Sequence, residues 1–304
     1  MPLFPISFCI NAGKIVSAPP DKTKYFATVT PLDRRTYIFN TEESYYADYQ
    51  SALFGITTEK GGWDCIRHYE ILANGCIPLF INLKKCPENT MTHFPKALVL
   101  STNELYNAYI SIPLPTPEQK RIFEATCMEY IGALLAHTRT YLTDTVMSTY
   151  VLDKSGKSSA RSILYLSGDC SPDYMRDLIL AGFKNKMGEA CHDHPRIDHI
   201  YTDFTNSANV YGKGFSYTKI IDPNLRNAAM SETVVDDIRS HKYDIVIYGS
   251  YHRGIPFWDL VSEFYAKEDI ILICGEDRHI CSQKKYAVEH SVFVREQYPD
   301  IFQA

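Results

Sequence analysis

The sequence lacks the features that mark several classes of protein. None of its nine cysteines forms a Cys-x-x-Cys pair, and several stand inside apolar runs where a free thiol behaves as a small hydrophobic residue (Cys9, Cys65, Cys76 and Cys274). This usage indicates a reducing compartment, with neither a disulfide framework nor a zinc site. No run approaches the roughly 18 apolar residues of a membrane-spanning helix. Residues 1–10 have no basic start and no cleavage site typical of a signal peptide. We therefore expect a soluble, cytoplasmic protein.

Familiar catalytic motifs are also missing. No Gly-x-Ser-x-Gly sequence is present, which argues against a Ser-His-Asp hydrolase with a nucleophile elbow. Gly156-Lys157-Ser158 resembles the end of a phosphate-binding P-loop, but the required earlier glycine and the preceding strand are absent, so we reject that interpretation.

One polar stretch contains imidazole and carboxylate groups of the kind that bind metals: His192, Asp193, His194, Asp198 and His199. No His-Glu-x-x-His or comparable helical spacing accompanies them. We favour a polar loop that borders a cleft over a metal site, and we predict no metal and no cofactor.

Length and composition are those of a globular protein. At about 150 residues per domain, the 304 residues predict two domains with sizeable cores. Hydrophobic residues make up 45% of the chain and charged residues 22%, which is ordinary for such proteins. The net charge of -5 argues against general nucleic-acid binding.

Residues 56–83 form the most informative stretch. A short apolar run ends at Ile56, a turn with Gly61-Gly62 follows, and apolar residues then recur at the three- and four-residue steps of a helix. Gly75 stands where a helix commonly ends in a left-handed residue, and 77–81 has the length and composition of a strand. The pattern predicts strand, turn, helix and strand, the βαβ unit whose ligands bind at the carboxyl ends of the strands.

The turn and the first helical turn of this unit are suited to an anion. Backbone N–H groups at a helix start attract phosphate, and Lys60 and Arg67 add positive charge. Glu70 follows one helical turn after Arg67, where its carboxylate can accept hydrogen bonds from two hydroxyl groups of a ribose or a sugar. The alternative is that Arg67 and Glu70 form an ordinary surface pair at i,i+3.

These residues carry a family resemblance. Glu70, followed by a turn and Gly75-Cys76-Ile77-Pro78, resembles the donor-nucleotide half of GT-B glycosyltransferases, the exostosin-like branch especially. In that family the glutamate that resembles Glu70 holds the ribose of a nucleotide-sugar, and basic residues before it contact the diphosphate. The resemblance therefore implies a donor site made of Thr57, Thr58, Lys60, Trp63, Arg67, His68 and Glu70.

The rest of the first half predicts strands at 5–10 and 37–39, a helix capped by Thr41, and long helical structure from Thr116 to Leu152. A small, polar stretch at 154–161 then predicts a linker between domains at 1–153 and 162–304. In the second half we predict buried strands at 163–166, 243–248 and 270–274 and a short strand near Ile200. A helix capped by Ser171 follows the first of these strands.

The second half also carries a resemblance. Pro172-Asp173-Tyr174 and Phe293-Val294-Arg295-Glu296 resemble the acceptor-side domain of GT-B enzymes. In most of that family the acceptor domain comes first, whereas here the donor-like half does, and the tail at 293–301 would ordinarily lead into 5–10. The resemblance therefore implies an α/β fold with two Rossmann-like domains facing across a cleft, in permuted order.

Together these observations predict a metal-independent glycosyltransferase that moves a sugar from a nucleotide-sugar to a glycan or another hydroxyl acceptor. Lys60, Arg67 and His68 would neutralise the leaving diphosphate, and Glu70 would hold the ribose. A general base would come from the second half, with Asp173 and Asp277 ranked together, then Asp169, then His194.

Some alternatives stay open. Asp277 could pair with Arg278, and His279 follows the same strand as Asp277. The alternative function is a non-catalytic protein that binds a nucleotide or a glycan in a GT-B-like cleft.

Overall fold

The computed structural model of the chain describes residues 3–227, 230–277, 286 and 288–297. Arg278, His279 and the tail residues 298–301 therefore lie outside the described residues. No helix in the described part of the chain is long and apolar enough to span a membrane.

The larger sheet has six parallel strands. From one edge to the other they are Leu3–Pro5 (β1), Ser291–Val294 (β9), Ile270–Cys274 (β8), Ile245–Tyr248 (β7), Ile163–Leu166 (β5) and Cys191–His194 (β6). Strands β5, β7, β8 and β9 are buried at every residue, as expected for parallel strands that helices cover on both faces. The strands predicted at 163–166, 243–248 and 270–274 are confirmed.

The smaller sheet consists of three parallel strands, Lys24–Phe26 (β2), Ala52–Thr57 (β3) and Ile77–Phe80 (β4), in that order. The helix Ile66–Ala73 (α2) joins β3 to β4. Gly75 has a φ of +60°, the left-handed conformation that ends the helix and turns the chain into β4. The predicted strand, turn, helix and strand of residues 56–83 is confirmed, and both sheets place the chain in the α/β class.

Besides α2, seven α-helices cover the two sheets. They are Glu42–Ser51 (α1), Lys96–Ile110 (α3), Pro117–Tyr141 (α4), Asp144–Lys154 (α5), Tyr174–Met187 (α6), Met230–Arg239 (α7) and Trp258–Phe264 (α8) among the described residues. Thr41 caps α1 by accepting a hydrogen bond from the Ser44 N–H, as predicted. Thr116 and Gln119 form a capping box with Pro117 as first helical residue.

Several predicted elements differ from those observed in the first half. Residues 37–39 form no strand; they follow the short 3₁₀ turn Arg34–Thr36, and the rings of Tyr37 and Phe39 line a cavity. The first strand is Leu3–Pro5, which lies before most of the predicted range 5–10. A run of three aromatic and aliphatic residues does not distinguish a strand from a loop whose side chains face a cavity.

In the second half, Ser171 does not cap the helix. Asp173 does, since its side chain accepts from the Arg176 N–H, so α6 starts two residues later than predicted. The strand expected near Ile200 is β6, and Asp198–Ile200 is a 3₁₀ turn. The His-Asp-His sequence of residues 192–194 therefore belongs to an edge strand and not to a loop.

The two halves of the chain share one hydrophobic core. β1 comes from the start of the chain but pairs with β9 near its end. Helix α5 packs against α6, and one continuous cluster of buried residues runs from the smaller sheet into the larger one. The segment 154–161 leaves the end of α5, and Lys157 forms an ion pair of 2.5 Å with Asp269.

Most of the described cysteines are free thiols, including Cys9, Cys65 and Cys76. Cys274, at the end of β8, is disulfide-bonded. The expectation that the thiol of Cys274 is free is therefore wrong.

Candidate functional site

A cavity of about 970 Å³ lies between the carboxyl-terminal ends of the two sheets. Its walls come from the turns that follow β3, β5, β7 and β8 and from the long segment between β6 and α7. Ligands of parallel α/β proteins bind at this end of the strands, and the volume suits a small molecule. Five residues that the sequence singled out line the cavity: Lys60, Arg67, Glu70, Asp173 and Asp277.

The Gly61-Gly62 pair lies where the two halves of the chain touch. A Cβ on Gly61 would stand 2.7 Å from Oδ2 of Asp277. A Cβ on Gly62 would overlap the carboxylate of Glu296 and stand 3.1 Å from the backbone oxygen of Asp277. Gly62 needs to be glycine because the buried Glu296 and the backbone of Asp277 approach the turn after β3 this closely.

Arg67 is a buried cation with unused donors. It stands in the first turn of α2, its Nη2 donates to the Tyr37 hydroxyl at 2.7 Å, and its guanidinium carbon lies 5.3 Å from the centre of the Tyr37 ring. Its Nε and Nη1 are buried and have no hydrogen-bond partner among the described residues. Buried donors are nearly always paired, so these two N–H groups are available to hydrogen-bond a molecule in the cavity.

Glu70, one turn further along α2, is buried as well. One carboxylate oxygen accepts from the Tyr45 hydroxyl at 2.7 Å, and the other accepts from the Ser216 hydroxyl. Burial raises the pKa of Glu70, although these two hydrogen bonds oppose the shift. Because Arg67 and Glu70 are both buried, the alternative of a surface pair is wrong.

Lys60 lies at the exposed rim of the cavity, with its Nζ 5.8 Å from the centre of the same Tyr37 ring. It forms no ion pair within the described parts of the chain. Lys60 and Arg67 therefore both bring positive charge to the cavity beside Tyr37.

Four other residues of the predicted donor site do not line the cavity. His68 is fully buried, its Nε2 lies 2.9 Å from the carbonyl oxygen of Trp63, and its Nδ1 lies 2.9 Å from the hydroxyl of Thr57. Burial lowers the pKa of His68 to about 3, so the ring is neutral and cannot offset a diphosphate charge. The ring of Trp63 stacks on Phe80, and the Thr58 hydroxyl donates to Oδ1 of Asn82 at 3.1 Å. These four residues pack around the turn after β3 on the side away from the cavity.

Asp173 lines the cavity, but its carboxylate is heavily used. Oδ1 accepts from the Arg176 N–H at 3.1 Å as the cap of α6. Oδ2 accepts from the Ser250 hydroxyl at 2.6 Å and lies 3.0 Å from Nε of Arg253. Both oxygens of Asp173 are therefore already engaged by other groups of the protein.

The other predicted bases differ in position. Asp277 lines the cavity and forms an ion pair with the buried Arg295. Asp169 lies outside the cavity lining and accepts from the Ser171 N–H at 2.7 Å. His194, at the end of β6, also lies away from the lining, with its ring 5.4 Å from that of Phe257.

Two cavity residues after β7 were not predicted from the sequence. His252 and Arg253 belong to the 3₁₀ turn Tyr251–Arg253, directly beyond the buried strand. The predicted strand at 243–248 already pointed to this edge of the sheet, so His252 and Arg253, which follow that strand within five residues, could have been predicted by the same rule.

A segment that lines the cavity, residues 211–217, was not predicted from the sequence either; we call it the strap. Lys213 donates to the backbone oxygen of Phe39 and to the Asn40 side chain, both at 2.7 Å. The ring of Phe215 stacks on that of Tyr45 with centres 5.5 Å apart. The strap thus attaches the second half of the chain to the first, through contacts that no local spacing reveals.

A cluster of buried charges lies behind the Gly61-Gly62 pair. Arg295 donates to the backbone oxygen of Gly275 at 3.0 Å and to Oε1 of Glu296 at 3.2 Å. The Asp64 N–H donates to the same Oε1 at 2.8 Å, whereas Oε2 of Glu296 is buried without a partner among the described residues. Burial raises the pKa of Glu296 to about 7 and that of Asp64 to about 6, although Arg295 opposes both shifts.

Most of the residues weighed as metal ligands are paired individually with other side chains. His192 lies 2.7 Å from the Tyr243 hydroxyl, Asp193 forms an ion pair with Lys184 at 2.8 Å, and His199 lies 2.6 Å from Asp177. Within the described residues, no three His, Cys, Asp or Glu side chains are grouped as metal ligands.

Comparison of the chain with protein-family models, with curated proteins and with solved structures finds no match. The functional proposal therefore depends on the cavity and on the side chains that line it.

Proposed function

We propose that the protein is a metal-independent glycosyltransferase that transfers a sugar from a nucleotide-sugar to a hydroxyl group of an acceptor. The observation that carries this proposal is the pair of buried Arg67 donors in the cavity wall that have no partner among the described residues. An unpaired buried charge costs several kcal/mol. A diphosphate would satisfy both donors, because a guanidinium binds two phosphate oxygens side by side.

The placement of the cavity supports the same proposal. The turn after β3 supplies Lys60 and Arg67, and the turns after β5, β7 and β8 supply the opposing residues. In a GT-B-like arrangement the donor would lie against the smaller sheet and the acceptor against the larger sheet. A reaction between the two ligands then takes place where the carboxyl ends of both sheets meet.

The side chains have separate roles in this proposal. As the bond between the sugar and the diphosphate breaks, negative charge develops on the leaving oxygen, and Arg67 and Lys60 stabilise it. Each oxygen of Glu70 accepts one hydrogen bond from the protein and keeps a lone pair, so the carboxylate can also accept from ribose hydroxyls. Tyr37, which contacts both cations, holds Arg67 in place.

Isothermal titration with UDP, GDP, ADP and CDP tests the proposal. We expect the wild-type protein to bind at least one of them and Arg67→Gln to bind it at least tenfold more weakly, since a hydrogen bond to a charged group contributes about 1.5–3 kcal/mol. Arg121→Gln is the matched control, because Arg121 is an exposed residue of α4 that pairs with Glu118. A folded wild-type protein that binds none of the four would refute the proposal.

A second candidate is a protein that binds the nucleotide without chemistry. The engagement of Asp173 with Arg176, Ser250 and Arg253 favours it, because this highly ranked base is not free. Release of nucleoside diphosphate from the nucleotide-sugar that binds most tightly separates the two functions. Binding without release, in the presence or absence of sugar acceptors, would favour the second candidate.

A further inference from the structure

His252 is the one imidazole among the described residues that line the cavity. It is mostly buried and stands directly beyond β7, so the larger sheet fixes its position at the edge that faces the cavity. On the proposed function, this is the edge where the acceptor lies. Its backbone is held by the turn, whose Arg253 N–H donates to the Ser250 backbone oxygen at 2.9 Å.

The ring of His252 is less constrained than that of the buried His68. Nε2 lies 3.9 Å from Oδ2 of Asp173 and 3.8 Å from Oε2 of Glu276. Both distances are too long for a direct hydrogen bond, and Nδ1 has no hydrogen-bond partner within the described residues. His68, by contrast, uses both ring nitrogens in hydrogen bonds of 2.9 Å.

We propose that His252 is the general base of the transfer reaction, an inference that rests on the proposed glycosyltransferase function. Nε2 takes the proton of the acceptor hydroxyl while the acceptor oxygen forms a bond to the anomeric carbon of the donor sugar. The bond from that carbon to the diphosphate oxygen breaks, and the nucleoside diphosphate leaves with the electron pair. The carboxylates of Asp173 and Glu276 then stabilise the imidazolium.

The charged groups around His252 are suited to this role. Asp173 and Glu276 face it from the turns after β5 and β8, Arg253 is its neighbour in the turn, and Arg295 approaches from beyond β9. Burial lowers the pKa of His252, and the two carboxylates oppose the shift. The ring is therefore neutral near pH 7, with a lone pair available, whereas Asp173 and Asp277 are held by cations.

The test uses the UDP- or GDP-sugar that the wild-type protein cleaves fastest, with water as the acceptor, and follows release of nucleoside diphosphate from pH 5 to 9. We expect the wild-type rate to rise with pH as His252 loses its proton. His252→Gln should lower the rate at least a hundredfold, remove this rise and leave nucleoside diphosphate affinity within twofold. His241→Gln is the matched control, since His241 is an exposed residue after α7 whose ring stacks on Tyr265.

His252→Ala provides a second readout that a purely structural role would not give. In this variant, added imidazole should restore part of the rate at saturating donor. The assignment of the base is overturned if His252→Gln keeps the wild-type rate and pH profile, or if a folded His252→Ala is not rescued by imidazole. Either result leaves the proposed function standing. A wild-type protein that binds nucleoside diphosphates but cleaves no nucleotide-sugar overturns both.

Discussion

The Ser216 hydroxyl donates a hydrogen bond to the carboxylate of Glu70, which joins two residues 146 positions apart in the chain. Ser216 belongs to the strap and has a φ of +75°, an uncommon conformation for a residue other than glycine. Its N–H donates to Glu42 at 2.6 Å, so α1 holds the strap in this conformation. A hydroxyl of the protein is therefore hydrogen-bonded to the carboxylate that, in our proposal, accepts hydrogen bonds from the ribose hydroxyls.

This contact leads to a prediction about ribose recognition. We expect the wild-type protein to bind a ribonucleoside diphosphate at least tenfold more tightly than its 2′-deoxy counterpart, because a hydrogen bond to a carboxylate contributes about 1.5–3 kcal/mol. Glu70→Gln should abolish this preference. Isothermal titration with the two nucleotides measures it.

Ser216→Ala serves as the control for that experiment. It removes the competing hydroxyl and keeps the carboxylate, so the ribose preference should persist or increase. The melting temperature should fall in both variants, because each leaves a buried partner unpaired. A preference for ribose that survives in Glu70→Gln would show that Glu70 only supports the strap.

A second prediction concerns the turn after β3. Gly62→Ala would place a methyl group against the carboxylate of Glu296 and the backbone of Asp277. The Glu296 side chain is buried and a backbone atom cannot rotate away, so neither neighbour can easily make room. We expect a loss of about 1–3 kcal/mol in the free energy of unfolding, as for overpacking. Weaker nucleotide binding should accompany it, because Lys60 and Arg67 would shift.

Gly132→Ala is the matched control for this substitution. Gly132 lies in α4, and a Cβ at this position would have no neighbouring atom within 4 Å, so alanine should stabilise the helix slightly. Urea unfolding and isothermal titration of both variants measure the effects. A Gly62→Ala protein as stable as Gly132→Ala would show that the two halves do not approach each other as closely at this turn.

A third prediction concerns stability and pH. The pKa of Glu296 is raised from 4.5 to about 7, so the folded state holds this proton more tightly than the unfolded chain. Its contribution to stability is complete below pH 4.5 and is lost as the pH rises through 7. At about 1.4 kcal/mol per pH unit, the loss by pH 8 is on the order of 3 kcal/mol. Asp64, whose pKa is raised to about 6, acts in the same direction.

Glu296→Gln removes the ionisation of this side chain and keeps an oxygen for the Asp64 N–H. We expect the variant to lose less stability than the wild-type protein between pH 5 and pH 8 in urea unfolding. Glu289→Gln is the control at an exposed carboxylate paired with Lys267, and its pH profile should match the wild type. Parallel profiles for Glu296→Gln and the wild-type protein would show that Glu296 does not titrate in this range.

The sequence by itself determined the local elements. Apolar runs marked β5, β7 and β8, helical periodicity marked α2, and Thr41, Pro117 and Gly75 marked helix ends, because these signals depend on neighbours within a few residues. The rule that ligands bind at the carboxyl ends of parallel strands then placed Lys60, Arg67, Glu70, Asp173 and Asp277 at the cavity.

Only the tertiary structure decided how each of these side chains is paired and buried. Glu70 meets Ser216, Gly62 meets Glu296 and β1 joins β9 through contacts between distant parts of the chain, which no local pattern encodes. Burial and pairing set whether a group is charged and free. They make His68 neutral, engage Asp173, leave two donors of Arg67 without a partner in the described part of the chain and bring His252 into the cavity wall.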